Sequence, residues 1–122
     1  FVRIADEVFE PMVRAFKPEM ILVSAGFDSH WNDPITSLGL STRGFYDVSK
    51  KLVDIAGEYC HGKIVFVLEG GYDPHNVANG VGAVFDALTS RPLGNEAGDA
   101  SPYKEPDFES GLNEICKKHD LI

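Results

Sequence analysis

The chain reads as an α/β fold, the C-terminal portion of a parallel-sheet, three-layer domain built on a βαβ unit with flanking helices. Three observations predict it. Two short apolar runs, "MILVSA" (20–25) and "IVFVL" (64–68), lack the alternation of a half-solvated strand, as expected when both faces are covered. The stretch between them carries apolar residues at helical spacing, long enough for a crossover between parallel strands. Each run is followed at once by polar and glycine residues, the pattern of loops at the carboxyl ends of strands in an open α/β sheet.

Residues 1–16 place Val2, Ile4, Ala5, Val8, Phe9, Met12, Val13 and Phe16 at helical spacing, with Pro11 predicting a bend. "KPE" (17–19) stops this helix, and the first strand follows at 20–25. A polar loop runs from Gly26 to about Leu40. Ser41 or Thr42 can cap the next helix, whose stripe is Phe45, Val48, Leu52, Ile55, Ala56 and Tyr59, ending near Cys60. "HGK" (61–63) supplies a glycine stop before the second strand. "EGGY" (69–72) is a glycine turn, and Asp73 with Pro74 reads as an N-cap followed by a first-turn proline. Val77, Val81, Val84, Phe85 and Leu88 line the helix that follows. Residues 1–91 form the main unit. Residues 92–106, rich in Gly, Pro, Asn, Asp and Ser, read as a linker, and 107–122 as a helical tail with Phe108, Leu112 and Ile115 on one face. No internal repeat is apparent. Two strands are too few for a full sheet, and the chain starts at Phe1, so further strands are expected upstream in a larger domain.

Composition narrows the function classes. Of 122 residues, 43% are hydrophobic and 25% charged, an ordinary globular balance. A formal net charge of −8 gives no basic surface to track a phosphate backbone, so no direct nucleic-acid partner is expected. No apolar run approaches a membrane span, and no signal-peptide pattern is present, so no membrane partner is expected either. Cys60 and Cys116 lack CxxC spacing and read as free thiols of a reducing, intracellular compartment.

The two strand-end clusters carry the chemistry. Asp28, His30 and Asp33 follow the first strand; Glu69, Gly70, Gly71 and Tyr72 follow the second. If the strands are neighbours, about 5 Å apart, Asp28 and Tyr72 can face one cleft. A carboxylate there can bind a cation, and a phenol can donate a hydrogen bond to an oxygen that the cation polarises. The glycines let backbone approach that point. By position alone, Asp28 is more simply a loop cap and Tyr72 a half-buried packing residue.

"SAGFDSHWNDP" followed by "FVLEGGYD" resembles the C-terminal part of the zinc-dependent histone deacetylase family, most of all its class II-like members and their bacterial acetoin-utilisation and acetylpolyamine relatives. The resemblance runs from about Phe1 through Arg91. It implies an arginase–deacetylase type α/β fold and hydrolysis of an N-acetyl-lysine or similar amide, in an acetylated protein or a small acyl-amide. It implies that Asp28 is a Zn2+ ligand and that Tyr72 polarises the acyl carbonyl and stabilises the oxyanion. Gly70, Gly71 and Phe27 then belong to the substrate channel, with Ile35 an apolar wall where an acidic residue would suit polyamines. His30 mimics Asp-x-His ligand spacing but aligns with a position the family does not use as a ligand; it reads as a loop or rim residue, with metal contact the alternative. Asp33 reads as a turn former before Pro34. Trp31 reads as a rim aromatic or as packing under the loop, and Glu69 as a turn cap or a substrate contact.

The family's other ligands, an Asp-x-His pair, and its His-His dyad have no counterpart in the chain. A mononuclear catalytic zinc takes three protein ligands plus water. The chain alone is therefore expected to be inactive, with the remainder of its own catalytic domain as its first partner. Two other readings stand beside this one: an acetylpolyamine or small acyl-amide amidohydrolase, and a truncated, non-catalytic binding protein. The family resemblance leaves a cytoplasmic and a nuclear location both open.

Overall fold

A computed structural model describes residues 1–36, 38–94 and 100–121. The elements in order are α1 (Val2–Ile4), a π-helical turn (Ala5–Phe9), α2 (Glu10–Phe16), β1 (Ile21–Ala25), α3 (Thr42–Tyr59), β2 (Ile64–Leu68), α4 (Pro74–Leu88) and α5 (Glu109–Lys118). β1 and β2 pair in parallel with Ile21 opposite Ile64 and Ala25 opposite Leu68, so α3 is the crossover of a βαβ unit. Of the expected linker, residues 95–99 lie outside the described residues.

The N-terminal helix does not break at Pro11. The proline has no N–H to give the Glu7 carbonyl four residues back, and its ring crowds that carbonyl. The helix widens into the π turn just before it, and the Glu10 N–H reaches the Ala5 carbonyl. The Glu7 carbonyl receives the Cys116 thiol at 3.6 Å instead. Lys17, at φ 53°, closes α2 in the left-handed conformation ahead of Pro18. Ser41 is the cap of α3, its hydroxyl accepting the Gly44 N–H at 3.2 Å. Asp73 caps α4, accepting the Asn76 N–H at 2.9 Å, with Pro74 in the first turn.

Three clusters hold these elements together. Val13, Ile21, Ile55, Ala56 and Cys60 join α2, α3 and the inner sheet face, with Phe9, Val23 and Ile64 packed around them. Full burial of a residue such as Ile55 contributes roughly 1.5–3 kcal/mol. Phe27, Phe45, Ala83 and Val84 form a second cluster between α3, α4 and the loop after β1. Val8, Leu112 and Cys116 form a third, which docks α5 on the π turn. The N-terminal helix is also pinned to α3, because the Lys51 ammonium lies 2.6 Å from Asp6 and 2.8 Å from Glu10. Lys51 holds the Glu10 carboxyl below its ordinary range.

The described residues cover the strands on one face: Ile21, Val23, Ile64 and Phe66 pack inward, and Leu22 (66% exposed), Val65 and Val67 are left uncovered by this chain. The structure corrects the expectation for the last helix. In α5 the buried stripe is Leu112 and Cys116, with Phe108 packed beside them; Ile115 points outward. Both cysteines are free thiols and both are buried.

Candidate active site

The strand pairing brings the two polar clusters to one end of the sheet. The ladder runs one step past each strand, the Glu69 N–H donating to the Ala25 carbonyl at 3.1 Å and the Phe27 N–H to the Gly70 carbonyl at 2.8 Å. The Asp28 carboxylate therefore lies over the glycine turn. A Cβ on Gly70 would stand 2.9 Å from its Cγ and 3.0 Å from both its oxygens. A Cβ on Gly26 would stand 2.9 Å from Oδ1. The carboxylate thus occupies a cradle that only glycine leaves open on two sides. Gly71, at φ 133°, has backbone that side-chain-bearing residues rarely adopt, and a Cβ there would meet Val77 at 2.5 Å and Phe27 at 3.2 Å. Tyr72 comes next and is 55% exposed.

The loop after β1 is held mainly by its own hydrogen bonds. The His30 and Leu40 backbones form a parallel bridge, the Trp31 N–H reaching the Leu40 carbonyl at 2.7 Å and the Leu40 N–H the Ser29 carbonyl at 2.9 Å. The Thr36 hydroxyl donates to the Asp28 carbonyl. Asp33, 8% exposed, accepts the Ile35 N–H on Oδ1 at 2.8 Å and the Tyr72 N–H on Oδ2 at 3.0 Å. Burial alone would push this carboxyl up; the N–H groups of Ile35, Tyr72 and Thr36, with the nearby His30, outweigh it and hold Asp33 below the usual carboxylate range. Asn76, also buried, donates from Nδ2 to the Asn32 carbonyl at 3.2 Å.

Two of the expected site residues, Phe27 and His30, are buried. Phe27 packs in the second core cluster. At 3% exposed, it meets Phe45 edge-on at 5.2 Å and lies where a Cβ on Gly80 would be 2.3 Å away. His30 is not at the rim. It is 1% exposed, its ring lies parallel to Phe45, and its Nδ1 accepts the Asn32 N–H at 3.1 Å, which directs the proton of a neutral ring to Nε2. Trp31 is half-buried, and its indole nitrogen is enclosed beneath the loop with no hydrogen-bond partner among the described residues. Ile35, 66% exposed, and Glu69, also exposed, remain on the surface beside the turn. Neither Asp33's reach to Tyr72 nor the burial of Asn76 was anticipated; the only signal for either was an Asp-Pro turn and an Asn at the third position after a cap.

Asp28 in its glycine cradle offers hard oxygen donors and fits one position of a metal site. Among the described residues, no group of three or more His, Cys, Asp or Glu is placed to hold a metal ion. No helix among them is long and apolar enough to cross a membrane.

A carboxylate, a glycine turn and a tyrosine at the carboxyl ends of paired parallel strands define the class: an α/β protein with its polar groups gathered beyond the strand ends, where open α/β sheets carry their sites. Residues 1–88 match the histone deacetylase domain model, and the chain belongs to the histone deacetylase family. It is 47% identical over 72 residues to a probable deacetylase of Archaeoglobus fulgidus, an alignment covering 59% of this chain and 20% of that protein. It is 41% identical over 103 residues to the chloroplastic histone deacetylase 10 of Oryza sativa subsp. japonica, covering 83% of this chain and 23% of the relative. The chain thus spans about a fifth of the length of these curated relatives. Its fold superposes on the structure of the histone deacetylase Clr3 with a TM-score of 0.76 at 24% identity, over 95% of this chain and 18% of that one. The fold is accordingly part of the arginase–deacetylase α/β type.

Proposed function

We propose that the chain supplies one wall of a zinc-dependent deacetylase site that hydrolyses an N-acetyl-lysine-type amide. The observation that carries this reading is the Asp28 carboxylate lying over Gly70, two residues before Tyr72, on adjoining loops of a parallel strand pair. Asp28 would serve as one zinc ligand, the others coming from outside this chain. When bound, the ion supplies Lewis-acid polarisation of the amide carbonyl and of a water. Tyr72 donates its phenolic proton in a hydrogen bond to the carbonyl oxygen as negative charge builds there. Gly70 and Gly71 keep the space beside that oxygen free of side chains. Ile35 contributes apolar surface at the entrance, which favours a neutral acyl-lysine over a polyamine. Without the remaining ligands and a general base, the chain alone is expected to turn over no substrate.

The test uses the protein that carries this chain together with the family's remaining ligands, assayed on an acetyl-lysine peptide with zinc content measured in parallel. Asp28→Ala should lose the metal and the activity together. Tyr72→Phe should retain zinc and lower kcat by about 10²–10³-fold, the worth of one oxyanion donor. Undiminished turnover in the Tyr72→Phe protein overturns this mechanism.

A further inference from the structure

We propose that Asp33 is a positioning residue: it ties the loop carrying Asp28 to the Tyr72 backbone and thereby sets where the tyrosine hydroxyl stands relative to the Asp28 carboxylate. The inference rests on the reading of Asp28 and Tyr72 given above.

The two carboxylate oxygens of Asp33 do different work. Oδ1 accepts the N–H groups of Ile35 at 2.8 Å and Thr36 at 3.3 Å, closing the turn around Pro34. Oδ2 leaves the loop and accepts the Tyr72 N–H at 3.0 Å. All three partners are donors, so the site demands acceptor oxygens on both sides. An asparagine could satisfy one side only, because its amide group would face an N–H on the other.

The tether acts where the backbone is least constrained by its own sequence. The strand ladder ends at Gly70, whose carbonyl takes the Phe27 N–H. Gly71 follows with a backbone angle that glycine alone adopts readily. Tyr72 comes directly after this pivot, and among the described residues its N–H is held by Asp33. A second link runs parallel to the first, from Asn76 to the carbonyl of Asn32, the residue just before Asp33. Asp33 is itself seated by its N–H donating to the His30 carbonyl at 3.0 Å, and His30 is packed against Phe45 in the core. A rigid path therefore leads from the core, through Asp33, to the backbone of the residue that carries the phenol.

The experiment is a double-mutant cycle in the protein that carries this chain with its remaining zinc ligands, measuring kcat and KM on an acetyl-lysine peptide, zinc content and thermal midpoint. Asp33→Asn should lower kcat by about 10–10²-fold, the scale of a displacement near 1 Å in a catalytic group. KM and zinc content should stay close to the parent's. In the Tyr72→Phe background the same change should lower kcat less than about twofold, because the hydroxyl that Asp33 positions is already gone. Asp33→Ser is run alongside; its hydroxyl can still accept the Ile35 N–H but cannot reach Tyr72, so it should show the same loss of kcat and keeps the test decisive if Asp33→Asn does not fold. Equal losses in both backgrounds, or unchanged kcat in a folded Asp33 variant, overturn the positioning role. Failure of the underlying reading would show separately, as normal turnover in the Tyr72→Phe protein with Asp33 intact.

Discussion

The loops that leave β1 and β2 start from paired strands of equal length and solve the same problem in opposite ways. The first is long and stitches itself together: the His30–Leu40 bridge, the Asp33 turn and the Thr36 hydroxyl all bond within it. The second is a short glycine turn that has little internal bonding and takes its position from its neighbours, through Phe27, Asp33 and Asn76. A long loop can be rigid if its polar groups find each other. A short glycine turn has few side chains to spare for this, and its order has to be supplied from outside.

The largest expected break in this arrangement comes from Phe27, which supports both loops at once. Phe27→Ala removes a ring packed against Phe45 and the Gly80 face of α4. In the intact protein it should cost about 3–5 kcal/mol, read from chemical denaturation. Gly71→Ala comes next and strikes the short turn alone. Its backbone angle and the contacts at 2.5 and 3.2 Å should cost about 1–3 kcal/mol, with exchange protection lost around Tyr72 before it is lost in β1. A melt that weakens both loops equally would show that they are one unit and not a self-held loop and a borrowed turn.

The smallest effect is an acid one. Because Asp33 titrates below its ordinary value in the folded protein, its contribution is complete above the unfolded carboxyl value of about 3.9 and is lost as pH falls through the lower folded value. The protection factor of the Tyr72 amide, followed by hydrogen exchange from pH 6 downward, should hold to about pH 4 and then fall. The Leu40 amide, bonded to a backbone carbonyl, should keep its protection through the same step.

Much of this fold was legible in residue order. The bounds of β2 and the caps Ser41 and Asp73 follow from local patterns, because each is set by neighbours a few residues away. The rest depended on distance in sequence. An apolar run such as "IVFVL" records that its residues are apolar, not which face this chain itself packs; here that is the face of Ile64 and Phe66. His30 read as a loop or rim residue because its nearest residues are polar; Phe45, which buries it, arrives from α3. Phe27 adjoins Asp28 in sequence, and its ring packs against the same Phe45. Asp33 read correctly as a turn former for Oδ1, but its second oxygen bonds Tyr72 on the far side of the crossover.

The parallel register has a consequence for changes in chain length. Ala25 stands opposite Leu68, and Asp28 and Tyr72 are counted out from that pair. Deleting one residue within β2 would turn its inward side chains outward and draw Tyr72 back by about 3.3 Å, one strand step. The polar links beyond the strand could not stretch to follow. The spacing between Ile64 and Tyr72 should therefore tolerate substitutions far better than insertions or deletions.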